Sequence, residues 1–175
     1  MRTRAISFIA HSGTGKTTLL EKVVAELKQR GYRVGVVKHD AHRFEIDHPG
    51  KDSFRFSRAG ADTVLITSQE KLAVVKTHAE CPPVEELLEA YFGDVDLVLI
   101  EGFKDSGLPK VEVHRREAGH ALLCRTGRFD QALLAVVSDE PMVLDVPVLD
   151  LNDPGGVADF VAGYLEVQGS RSSRG

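Results

Sequence analysis

Apolar positions change their spacing from one stretch of this chain to the next, and the changes mark out its elements. Residues 5–10 form a short, mainly apolar run closed by a Gly-containing loop, the pattern of a buried strand. From 16 to 30 the spacing turns helical: Leu19, Leu20, Val23, Val24 and Leu27 fall on one face, and Gly31 stands where a left-handed C-terminal cap belongs. Residues 33–38 are again β-rich. Strand, loop, helix, strand is a βαβ unit, which implies parallel pairing and a right-handed crossover.

A polar stretch at 39–50 leads to a short predicted helix at 51–58. Two β-rich runs, 63–67 and 73–76, flank Ser68-Gln69-Glu70-Lys71 and read as a hairpin. Residues 82–92 read as a helix, with Pro82 early and Gly93 just past its end. Residues 97–100 are a strongly apolar strand. In residues 110–115, Val111 and Val113 alternate with charged positions, which predicts a strand with one solvated face. This strand and the hairpin are the candidates for an exposed edge, either protected by its own charge or covered by a second copy. Residues 133–137 and 148–151 are further strands, and 155–167 a closing helix. The alternation predicts an α/β, three-layer fold: a mainly parallel sheet flanked by helices, with a β-hairpin extension.

Composition narrows the function classes. A chain of 175 residues with two cysteines, Cys81 and Cys124, is expected to be one domain with reduced thiols rather than a disulfide framework. The domain is expected over 1–167, and the Ser-, Arg- and Gly-rich segment 168–175 reads as a disordered tail. A net charge of −4 exerts no global pull on nucleic acid or on an anionic membrane, so neither is an expected partner. The N-terminal apolar run is too short for a signal peptide and no stretch reaches membrane-spanning length, which predicts a cytoplasmic protein.

The chemistry concentrates after the first strand, in Ala10-His11-Ser12-Gly13-Thr14-Gly15-Lys16-Thr17-Thr18. All but the first position of the Walker A pattern G-x-x-x-x-G-K-[ST] match. Gly13 and Gly15 let the backbone turn so that its N–H groups converge on an anion, with Ser12, Thr14 and Thr18 completing the cradle. The helix that follows adds its N-terminal donors. Lys16 brings positive charge to the β- and γ-phosphates, and Thr17 offers Mg²⁺ a hydroxyl oxygen. Ala10 replaces the usual glycine, which a non-positive φ tolerates.

Glu101 ends the apolar strand begun at Leu97, as in a Walker B strand. Strand carboxyl ends line the ligand crevice of such sheets. Glu101 can there hold Mg²⁺ or orient the attacking water; the alternative is a solvated acid. Asp96, at the opposite end, stays outside the site. In the polar stretch, Asp40 and Asp47 are candidates for the metal or its waters, and Lys51 and Arg55 for phosphate. His39, His42 and His48 read as solvated residues, as contacts to nucleotide or partner, or as a transition-metal cluster without the usual ligand spacing. Asp139, following the strand at 133–137, is either a guanine-reading carboxylate or a turn residue before Pro141.

Three blocks in order, SGTGKTTLL at 12–20, KHDAHRFEIDHPGKDSFRFSRAGA at 38–61 and DLVLIEGFKDSGLPKVEVHR at 96–115, resemble the molybdopterin-guanine dinucleotide biosynthesis protein B (MobB) family. The first block is shared by many P-loop proteins; the other two are more specific. The resemblance implies a P-loop NTPase fold related to dethiobiotin synthetase and MinD-like proteins, binding of GTP with Mg²⁺, and slow hydrolysis. It also implies a homodimer and an adapter role beside MobA, the guanylyltransferase that joins GMP to molybdopterin. Lys16 and Thr17 match the family's phosphate and metal positions; Glu101 and Asp40 match its acidic positions less closely. Ala10 departs from the family's glycine. The choice of GTP over ATP rests mainly on this resemblance.

A small-molecule kinase or ligase, as in the dethiobiotin synthetase relatives, is the alternative. A MinD-like scaffold is disfavoured, because His11 stands where such proteins carry a second lysine and the C-terminal segment lacks an apolar face.

Overall fold

The computed structural model describes residues 4–39, 44–125 and 132–172. It divides into two compact units, one of Met1–His39 with Val84–Gly175, the other Asp40–Pro83.

The first unit is built on a six-stranded, entirely parallel sheet. Its strands are β1 (Ala5–Ile9), β2 (Val34–Lys38), β5 (Leu97–Glu101), β6 (Lys110–His114), β7 (Leu133–Ser138) and β8 (Val148–Asp150), and they lie in the order β2-β5-β1-β6-β7-β8. Alternating residues of each strand feed opposite layers. On one face Ile6, Phe8, Leu97, Leu99, Val111 and Val113 pack against α1 (Lys16–Gln29) and α4 (Pro154–Ser172). On the other, Ala5, Val98 and Ile100 pack against Val84 and Leu88 of α3 (Val84–Tyr91). This is the three-layer α/β arrangement that the hydrophobic pattern predicts. Prolines 82 and 83 stay outside α3, and α4 runs past the expected end at Val167 to Ser172.

The second unit contains α2 (Asp52–Arg58) and an antiparallel hairpin of β3 (Thr63–Thr67) and β4 (Leu72–Lys76). Ser68 closes the hairpin: its hydroxyl accepts the N–H groups of Glu70 and Lys71 at 3.2 and 3.1 Å. Leu65, Ile66 and Leu72 on the hairpin are exposed.

The expectation of a solvated face and an exposed edge for β6 is overturned. The strand lies inside the sheet, between β1 and β7, and its charged residues are buried: Lys110 is 3% exposed and Glu112 1%. The alternation is real, but chain rather than water covers the polar side. The Glu112 carboxylate accepts the N–H groups of Leu123 and Cys124 at 2.6 and 2.9 Å, and the Lys110 ammonium donates to the carbonyls of Ser106 and Leu108. Both charges thus pair with main-chain groups, and a buried polar group left unpaired costs about 1–3 kcal/mol. Burial lowers the Lys110 pKa, partly opposed by Asp105. Neither cysteine forms a disulfide among the described residues; Cys124 is buried and Cys81 exposed. Among the described residues no helix is long and apolar enough to cross a membrane.

Candidate nucleotide-binding site

After β1 the chain turns back on itself before α1 begins at Lys16. Gly13 and Gly15 make the turn with φ of 81° and 82°, a region that L side chains rarely adopt. Gly15 precedes α1 in the left-handed conformation, and among the described residues no side-chain hydrogen bond caps the helix. The orphan N–H groups of the first turn are therefore not taken by a capping side chain. Thr14 is buried, and its hydroxyl donates to the His11 carbonyl at 3.1 Å, bracing the loop from within. Ala10 is not among the described non-glycine residues with positive φ, which are Phe103 and Ala132, and it is buried in the core. The turn therefore asks for no left-handed backbone at this position.

Parallel pairing aligns three strand ends at this loop. Glu101, the last residue of β5, stands opposite Phe8 of β1 and Lys38 of β2. Its carboxylate accepts the Thr17 hydroxyl at 3.0 and 3.1 Å, and the Lys16 ammonium lies 3.4 Å from Oε1. The Lys16 and Glu101 side chains are 17% and 13% exposed, so the pair is shielded but reachable. Of the sequence-predicted residues, the fold brings these three together. Ser12 and Thr18 are exposed at either end of the turn.

The next residues hold Glu101 in place, and they explain the Gly102-Phe103 pair. Gly102 has a φ of 108°, and a Cβ there would lie 3.0 Å from the His39 carbonyl oxygen. Its N–H donates to the Phe8 carbonyl at 3.1 Å, its carbonyl accepts the buried Ser7 hydroxyl, and the His39 N–H donates to the Glu101 carbonyl at 2.8 Å. Phe103 also adopts positive φ, 50°, and its ring lies 4.3 Å from that of His39.

On the other side of β1, Arg115 follows β6 and Asp139 follows β7. Arg115 Nε donates to the Thr14 carbonyl at 3.2 Å, and its Nη1 lies 3.9 Å from Asp139 Oδ2. Asp139 Oδ1 accepts the Arg116 N–H at 2.8 Å. Sequence reasoning missed Arg115. Its signal is its place directly after a strand, but only the strand order shows that this strand borders β1. Arg55, singled out from the sequence, lies in the second unit and pairs with Asp52 at 3.3 Å; Arg58 of the same helix sits over the Phe54 ring.

Asp40 and His42 lie outside the described residues. Asp47 shapes the chain before α2, accepting the His48 N–H at 2.9 Å and the Ser53 hydroxyl at 3.0 Å. Lys51 immediately precedes that helix. Among the described residues no group of three or more His, Cys, Asp or Glu side chains is arranged to hold a metal ion. Asp96 sits at the amino end of β5, ion-paired with Arg33 at 2.7 Å.

The donor set suits a polyphosphate with a hard divalent cation. Main-chain N–H groups and an ammonium match phosphate oxygens, and hydroxyl and carboxylate oxygens match Mg²⁺. The crevice lies at the carboxyl ends of the strands, with β2 reached on one side of β1 and β6, β7 and β8 on the other, the topological position at which such sheets bind ligands.

Residues 5–139 match the family described as molybdopterin guanine dinucleotide synthesis protein B. The molybdopterin-guanine dinucleotide biosynthesis adapter protein of Escherichia coli strain K12 is 40% identical over 169 residues, covering 93% of this chain and 94% of the relative. The adapter protein of Haemophilus influenzae is 36% identical over 161 residues, covering 91% and 88%. A crystal structure of molybdopterin-guanine biosynthesis protein B aligns with a TM-score of 0.73 at 30% identity, covering 91% of this chain and 99% of that one. Fold and sequence agree, and the chain belongs to the MobB family.

Proposed function

We propose that this chain is a GTP-binding adapter protein of molybdopterin guanine dinucleotide synthesis, acting in the cytoplasm, with weak Mg²⁺-dependent GTPase activity. The observation that carries the reading is the convergence of Lys16, Thr17 and Glu101 at the mouth of a loop turned by two positive-φ glycines. When bound, Mg²⁺-GTP supplies the labile phosphoanhydride and the cation that offsets its charge. The amides from Ser12 to Thr18 cradle the phosphates, and Lys16 neutralises them. Thr17 and Glu101 offer oxygen ligands to the metal, with Asp40 as a further acid, and Asp139 reads the guanine edge. Glu101 also orients water at the reacting phosphate.

Weak hydrolysis fits the arginine that packs on the loop. An arginine aimed at the transferring phosphate is worth about 10³–10⁵ in rate. Arg115 instead donates from Nε to the Thr14 carbonyl and faces Asp139 with Nη1. Such a site is better suited to holding a triphosphate than to turning it over. The proposed partners are a MobA-type guanylyltransferase, molybdopterin and a second copy of the chain. The exposed Leu65, Ile66 and Leu72 support a protein contact at the hairpin.

The test is calorimetric titration with GTP and ATP, with and without Mg²⁺, followed by co-purification with the guanylyltransferase and light scattering for oligomeric state. Saturable, Mg²⁺-strengthened binding that favours GTP is expected, together with a complex. Absence of nucleotide binding refutes the reading.

A further inference from the structure

The strand order splits the loop's surroundings into two sides. Glu101 follows β5 on one side of β1, and Arg115 and Asp139 follow β6 and β7 on the other. With the phosphates in the loop and the metal-type ligands on the β5 side, the nucleoside is left the β6 and β7 side.

The residues found there are held as a recognition surface would be. Arg115 is gripped at one edge by the Thr14 carbonyl, 3.2 Å from Nε, and at the other it faces Asp139 at 3.9 Å. Its Nη2 packs on Gly15, where a Cβ would lie only 3.3 Å away, so Gly15 is needed both for its left-handed turn and for the space the guanidinium takes. The Arg115 side chain is still 36% exposed. A planar cation fixed at its edges and open on part of its surface can stack flat on an aromatic ring, where an ammonium offers only a point charge. Beside it, Asp139 uses Oδ1 for the Arg116 N–H at 2.8 Å. An ionised carboxylate offers about four lone-pair directions. Those remaining can accept the N1–H and amino group of guanine, a donor pair that adenine lacks.

We infer that Arg115 and Asp139 form one purine subsite, Arg115 as the platform on which the base lies and Asp139 as the reader of its edge. The inference rests on the proposed triphosphate reading of the loop. Through the Thr14 carbonyl, the platform is tied directly to the phosphate cradle.

Three probes separate the possibilities: Mg²⁺-GTP, Mg²⁺-ATP and inorganic tripolyphosphate with Mg²⁺, titrated calorimetrically into wild type, Arg115→Ala, Arg115→Lys and Asp139→Asn. Both Arg115 variants are expected to weaken GTP and ATP alike, by about tenfold, with tripolyphosphate within about twofold of wild type. Asp139→Asn is expected to weaken GTP by about tenfold and leave ATP unchanged. Restoration by Arg115→Lys means that charge alone suffices and overturns the platform. An equal loss for tripolyphosphate makes Arg115 a phosphate ligand and also overturns it, as does unchanged GTP affinity. Should Arg115→Ala fail to fold, Arg115→Lys carries the comparison. Failure of the loop reading looks different: the wild type itself then binds neither GTP nor tripolyphosphate.

Discussion

Strand β5 ends in Glu101 and is preceded directly by Asp96, and the two ends of the sheet use their charges differently. At the amino end Asp96 is closed on itself with Arg33: the guanidinium donates to Oδ1 at 2.7 Å and the Arg33 N–H to Oδ2 at 2.7 Å. At the carboxyl end Glu101 meets a long, flexible ammonium at 3.4 Å and a rotatable hydroxyl at 3.0 Å. The first arrangement is a local clasp between β5 and the residue before β2. The second is a set of partners that a ligand can take over without unravelling any element. Acids of one charge at the two ends of one strand thus differ in role because of what each faces.

That contrast can be broken most forcefully at Lys16. Lys16→Ala should weaken Mg²⁺-GTP by about a hundredfold, the loss of a charge-assisted contact worth about 3 kcal/mol, with the thermal midpoint nearly unchanged. A midpoint that falls with affinity would make the carboxyl-end cluster as structural as the amino-end clasp. Gly102→Ala comes next. It forces a Cβ to 3.0 Å from the His39 carbonyl at a φ of 108°, and should cost about 2 kcal/mol in a urea melt. It should also weaken Mg²⁺ dependence by displacing Glu101; an unperturbed melt would show that this turn is not what holds the acid.

Glu101→Gln keeps the shape and removes the charge. GTP should still bind, but the gain in affinity on adding Mg²⁺ should shrink by about tenfold and hydrolysis should be lost. A wild-type rate would demote Glu101. The smallest effect is expected at Asp96→Asn. The Arg33 side chain, then its backbone N–H, hold the Asp96 carboxyl below the usual carboxylate range. A lowered acid pKa stabilises the fold above the unfolded carboxylate value, and that contribution is lost as pH falls through the folded value. The variant should therefore show a flatter acid limb in a plot of thermal midpoint against pH, with GTP affinity at neutral pH unchanged. A change in that affinity would blur the distinction between the two ends.

Much of this is legible in the sequence alone. The loop at 10–18 announces itself because glycines, lysine and threonine at fixed spacing follow an apolar strand and open a helix, all local features. Glu101 is legible for the same reason, as an acid closing a run of apolar residues. The polar side of β6 is not: the residues that satisfy Glu112 are main-chain groups at 123 and 124, and alternation alone cannot tell covering chain from water. Arg115 is hidden for a related reason. Its importance depends on β6 lying beside β1, a matter of strand order that no local pattern encodes. The left-handed Gly102 and Phe103 are visible as residues but silent in role, because their constraint comes from His39 on another strand's exit.

A crystal structure with a non-hydrolysable GTP analogue and Mg²⁺ tests the central claim most directly. The account predicts phosphate oxygens within hydrogen-bond distance of the main-chain N–H groups between Gly13 and Thr18, with the Lys16 ammonium on phosphate rather than on Glu101. Analogue bound elsewhere on the chain, with the Lys16–Glu101 pair intact, would contradict it.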